Sequence, residues 1–161
     1  MRILLLFICC FSVQLAVAQK FSYKKTSDEG RFSLYFPMDP TVDRKEIQNF
    51  KTVLYTGLLE SDVYLFSYSP IPVSDDEINE TIQATIIGFM ESVNMITNNE
   101  KAIKKGKAKG MYCEGKAENG LSVAYEVYYY KKILYQIGVM SQGNVNTKSM
   151  KAFSKKLKIN P

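Results

Sequence analysis

The chain of 161 residues contains no histidine. That absence removes serine-histidine-aspartate and cysteine-histidine catalysis, the common zinc-ligand sets, and the one side chain that ordinarily titrates near neutrality. Cysteine is nearly as scarce. Of the three present, Cys9 and Cys10 fall in an apolar leader, which leaves Cys113 alone and closes no intrachain disulfide. No apolar run reaches the roughly 20 residues that a spanning helix needs. No repeat or low-complexity linker interrupts residues 19–161. Charge of one sign is also limited, with 21 Lys and Arg against 16 Asp and Glu. So mild an excess lacks the dense basic stripe of a nucleic-acid binder, and no aromatic-glycine motif of an RNA-binding sheet accompanies it.

What is present begins with an export signal. Arg2 precedes a mostly apolar stretch from Ile3 to Val17, and Ala16-Val17-Ala18 forms the small-x-small pattern that a signal peptidase cuts. Residues 1–18 are therefore expected to be a signal peptide, with Gln19 opening a periplasmic or extracellular protein. Lipid attachment at Cys9 or Cys10 is disfavoured, because Phe7-Ile8 lacks the small residue such a cut prefers. Cleavage leaves 143 of the 161 residues, the size of one domain. A chain that long buries roughly two thirds of its unfolded surface, so its core needs no metal or disulfide.

Periodicity divides residues 19–161 into strands, a long helix, more strands and a short helix. Phe32, Leu34 and Phe36 alternate with polar neighbours up to Pro37 and Pro40, a half-buried strand. Residues 42–48 read as a second, and Thr52–Leu59 with Val63–Ser69 as a hairpin about Glu60-Ser61-Asp62 that ends at Pro70. A helix is expected next, with Ser74 and Glu77 as capping box. Its apolar stripe holds Ile78, Ile82, Ile86, Phe89, Met90, Val93 and Ile96, and Asn98-Asn99 stops it. Lys107–Ala117 and Leu121–Tyr130 form a hairpin across Asn119-Gly120, and Ile133–Ser141 returns beside them. Val123, Tyr125, Val127 and Tyr129 share one face of their strand and Ala124, Glu126, Tyr128 and Tyr130 the other, which suits a strand covered on both sides. Met150, Phe153 and Leu157 give the last helix an apolar side opposite Lys148, Lys151, Lys155 and Lys158. The expected fold class is α+β, an antiparallel sheet of about six strands with helices packed on it.

Candidate chemistry is sparse. No spacing marks a serine-lysine or carboxylate-pair enzyme, and nothing marks a cofactor. Cys113 stands between Met111 and Gly115 on its strand face with no adjoining basic cluster, as a buried inert thiol would. Asp75, Asp76, Glu77 and Glu80 lack the ligand order of a calcium loop and suit the first turn of a helix. Asn79-Glu80-Thr81 matches a glycosylation triplet but falls inside that helix. Lys101, Lys104, Lys105, Lys107 and Lys109 gather in one connection, where solvation is the ordinary reading and contact with an anionic lipid, polymer or acidic partner the functional one. The candidate binding surface comprises Tyr128 and Tyr130, whose rings combine an apolar body with a polar tip, together with Lys148, Lys151 and Lys155.

The order of these elements resembles the PsbP-like fold. RFSLYFPMDP with its Phe36-Pro37 strand end, VYLFSYSPIPV, the long helix, ILYQIGVMS, and the terminal AFSKKLKI with Phe153, Leu157 and Ile159 occupy the matching places. The resemblance implies an α/β/α sandwich, with a final short strand after the last helix. It also implies binding and assembly roles more than catalysis, without fixing a ligand. The function expected is that of an exported, non-enzymatic binding or accessory module engaging a protein, glycan or envelope component. The alternatives are a carrier of a small apolar ligand, with Met90, Met95, Met111 and Met140 as lining, and a histidine-free hydrolase.

Overall fold

A computed structural model describes residues 21–47, 49–143 and 147–161; the signal peptide expected over residues 1–18 lies outside them. Ten strands and two helices follow one another along the described chain. They are β1 (Tyr23–Ser27), β2 (Phe32–Phe36), β3 (Thr41–Ile47), β4 (Phe50–Leu59), β5 (Asp62–Pro70), α1 (Ile78–Ser92), β6 (Met95–Lys105), β7 (Ala108–Ala117), β8 (Leu121–Tyr130), β9 (Ile133–Gln142), α2 (Thr147–Lys156) and β10 (Lys158–Ile159). Seven strands form an antiparallel sheet in the order β3-β4-β5-β9-β8-β7-β6, and β1-β2-β10 form a small second sheet. The expected sheet of about six strands is thus corrected to seven, with three more strands outside it.

Each face of the large sheet has its own core. The face built from Cys113, Val123, Tyr125, Val127, Tyr129 and Leu134 receives Ile78, Ile82 and Ile86 of α1, and Phe89 stacks on the Tyr125 ring at 3.8 Å. The opposite face carries Val53, Tyr55, Tyr64, Phe66, Tyr128, Tyr135 and Ile137. Phe32, Leu34 and Phe36 of β2 cover it, together with Met150, Phe153 and Leu157 of α2. The result is helix, sheet, and a mixed layer of α2 with the small sheet. Two-sided burial of β8 and β9 follows from their near-continuous apolar sequences.

The helix α1 is shorter than its apolar pattern suggests. The Glu77 carboxylate accepts both the Ser74 N–H and hydroxyl, but residues 75–77 form a turn and the helix starts at Ile78. At the other end Asn94 takes a positive φ of 47° and reverses the chain, so Met95 and Ile96 begin β6. Ile96, expected on the helix stripe, is 77% exposed. The connection expected to hold the lysines is therefore mostly the strand β6, with Lys107 in the turn after it and Lys109 on β7. Asn98-Asn99 marks a bulge in β6 rather than a helix stop.

Candidate functional site

That bulge decides where the lysines go. Thr97 pairs with Gly115 and Asn99 with Glu114, which inserts one extra residue at position 98. Because strand side chains alternate, one inserted residue exchanges the faces of everything that follows. Thr97 accordingly reaches Met90 of α1 at 3.2 Å. Beyond the bulge, Lys101 lies 4.8 Å above the Tyr112 ring and Lys105 reaches α2. Gly115 permits this crossing, since a Cβ there would sit 2.1 Å from the Ile96 carbonyl oxygen.

Lys105 is the centre of a polar cluster under the C-terminal end of α2. Its Nζ donates to the Ser154 carbonyl at 2.8 Å and lies 5.4 Å from the Tyr128 ring centroid. Burial lowers the Lys105 pKa, and the nearby Glu126 carboxylate opposes that shift. Glu126 accepts from the Tyr128 hydroxyl at 2.7 Å and the Ser154 hydroxyl at 2.5 Å. Burial first, then the Glu126 charge, pushes the Tyr128 phenol up. Lys105 bonds the carbonyl of Ser154 and not its hydroxyl, so no serine-lysine dyad is formed here.

The predicted surface residues distribute around this cluster. Lys148, Lys151 and Lys155 are exposed along one side of α2, at the spacing that keeps them on a single stripe. Lys155 adjoins Ser154, whose carbonyl holds Lys105 at the end of β6 next to the β6–β7 tip. Tyr130 is half-buried there, beside Lys105, Lys107 and Ile159. Tyr128 is buried beneath the band, with its hydroxyl committed to Glu126. Among the described residues the ion pairs are Lys25–Asp39 and Lys45–Asp43, both away from this band. The charge signal was visible in sequence; the inward turn of Lys105 depended on the bulge and was not.

A second feature had no sequence signal. α1 makes its main contacts with β6, β7 and β8, and Leu134 of β9 joins their core, so the same face of β5, β4 and β3 extends beyond the helix. A groove of about 850 Å³ runs where the helix flank meets this part of the sheet. Its walls include Phe50, Ile71, Val73, Phe89 and Leu134, and its floor holds the Thr52–Ser69 hydroxyl pair at 2.7 Å. The Tyr129 hydroxyl fixes one wall by donating to the Ile71 carbonyl at 2.9 Å and accepting the Val73 N–H at 3.3 Å. Met90, Met95, Met111 and Met140, expected to line a ligand pocket, belong to the α1 core instead. Glu77 and Glu80 are the ionisable groups lining the groove. The Ser74 hydroxyl and backbone N–H hold the Glu77 carboxyl below its ordinary range, so it is charged at neutrality and no general acid.

Cys113 is wholly buried in the α1 core, and burial raises its thiol to about 12. No cluster of three or more metal-ligating side chains occurs among the described residues, and no helix among them is long and apolar enough to cross a membrane.

The layer order, the seven-stranded antiparallel sheet and the terminal α2–β10 unit define a PsbP-like fold. The solution structure of cyanobacterial PsbP (CyanoP) from Synechocystis sp. PCC 6803 superimposes with a TM-score of 0.59, covering 84% of this chain and 91% of that one at 7% identity. No protein-family model matches the sequence, and a search of curated proteins returns no match.

Proposed function

We propose that the chain is an exported, non-enzymatic accessory module of one domain, residues 19–161 after loss of the leader, that engages an anionic protein or glycan of the cell envelope. Its binding surface is the band formed by Lys148, Lys151 and Lys155 with Tyr130 at its end; Tyr128 supports that surface from beneath. No cofactor enters this reading. The observation that carries it is the Lys105–Ser154 bond, which ties the C-terminal end of α2, beside Lys155, to the end of β6. The stripe lysines have no carboxylate partner among the described residues, so their charges are available to a partner. Such contacts favour fast, salt-sensitive association.

The test is binding of the purified protein to an immobilised envelope fraction at rising salt. Lys148→Ala, Lys151→Ala and Lys155→Ala together should weaken binding about tenfold and flatten its salt dependence. Binding that ignores both salt and the triple substitution overturns the reading.

A further inference from the structure

We propose that the groove beside α1 is a docking slot for a cationic amphipathic helix of a partner protein. The slot has the dimensions of a missing helix. Strands lie about 4.8 Å apart, so β5, β4 and β3 present a strip roughly 10 Å wide, about the diameter of a helix with its side chains. The lining mixes apolar with small polar groups, Phe50 and Leu134 with Thr52 and Ser69. On the same sheet face beyond the groove, Leu54 and Leu65 are only partly covered and Leu58 is 67% exposed. The helix wall is low. Thr81, Ala84, Thr85, Gly88 and Ser92 line it, and a Cβ added at Gly88 meets no atom within 4 Å. Small side chains on that wall let a second helix lie close alongside.

Charge selects the occupant. The chain carries a net +5, yet this groove is lined by Glu77 and Glu80 with no lysine or arginine. Asp75 and Asp76 stand exposed just before α1. From the sheet side Asp43 and Lys45 occupy the β3 positions that face the same way, and they neutralise each other at 2.8 Å. An entering helix therefore meets a mixed apolar and hydroxyl lining flanked by the carboxylates of Glu77 and Glu80, the complement of a helix with an apolar stripe flanked by Lys or Arg. This site is separate from the α2 lysine band and does not depend on it.

The probe is a synthetic helical peptide of leucine and lysine, about 18 residues long, followed by fluorescence anisotropy, with a leucine-glutamate counterpart. The leucine-lysine peptide should bind despite the like net charge of the protein and better than the leucine-glutamate one, as a local acidic site requires. Gly88→Trp, which fills the slot from an exposed helix position, should weaken it by about tenfold or more. Glu80→Lys should do the same, whereas the triple α2 lysine substitution should leave it unchanged. The proposal is overturned if the leucine-glutamate peptide binds this groove better, or if Gly88→Trp and Glu80→Lys both have no effect. It is equally overturned if the groove accepts a small apolar dye but no helix.

Discussion

Phe153 is the residue through which α2 holds the molecule together. It is fully buried, with its ring 5.0 Å from Phe36, 5.1 Å from Tyr64 and 6.1 Å from Phe21. Those partners come from the small sheet, the large sheet and the segment before β1, so one side chain ties three parts of the fold. Truncating a buried phenylalanine to alanine costs about 3–5 kcal/mol, and each aromatic pair adds roughly 0.5–1.5 kcal/mol beyond its buried area. With three pairs lost, Phe153→Ala belongs at the upper end, about 4–5 kcal/mol. A domain is stable by only about 5–15 kcal/mol, so the variant should sit close to unfolding. At roughly 3 °C per kcal/mol for a chain of this size, its Tm should fall by about 12–15 °C. Urea unfolding followed by circular dichroism should show a lower midpoint with an unchanged slope. Lys151→Ala, on the exposed side of the same helix, should change stability by no more than about 0.5 kcal/mol. A loss below about 2 kcal/mol for Phe153→Ala would refute the claim that this ring anchors α2.

Three further outcomes follow from buried groups. The Cys113 thiol, ordinarily near 9.0, titrates at about 12 in the fold. The unfolded chain thus loses that proton first, and the associated stability is complete below pH 9 and lost as pH rises toward 12. Cys113→Ala should flatten that alkaline decline in urea midpoints, while the buried tyrosines retain part of it; an unchanged slope would refute the assignment. Tyr129→Phe removes both hydrogen bonds to residues 71–73 and should cost about 1–2 kcal/mol, with faster amide exchange at Val73 as its local mark. Gly115→Ala drives a Cβ into the Ile96 carbonyl, and should cost about 1–3 kcal/mol while exposing the β6 amides to exchange before the rest of the sheet.

The parts of this fold that were readable in the sequence are those whose burial is regular. Alternation in β2, β4, β5, β8 and β9 and the Met150-Phe153-Leu157 side of α2 each state which face meets the core. β1 and β6 were missed for the same physical reason. They are sheet-edge strands with little buried surface, and a neighbour's unpaired backbone makes them strands. The end of α1 was misplaced because Ile96 continues the helical spacing, while the positive φ at Asn94 had already turned the chain. Lys148, Lys151 and Lys155 declared themselves through helical spacing. Lys105 did not, since its direction is set by an extra residue seven positions earlier. The groove left no trace in the pattern, because it depends on how far across the sheet α1 lies, with one flank of the helix as its wall.

The two-residue strand β10 pairs Lys158 with Ser33 and Ile159 with Phe32, and the Asn160 N–H donates to the Arg31 carbonyl at 2.7 Å. Residues 31–33 are thus closed by residues 158–160, which follow every other described element along the chain. A nascent chain still emerging from a ribosome or a translocation channel cannot complete this layer, so Phe32, Leu34 and Phe36 stay incompletely covered until α2 and β10 arrive. Coverage of β2 is therefore contingent on the α2–β10 unit, and any event that detaches that unit opens this core at once.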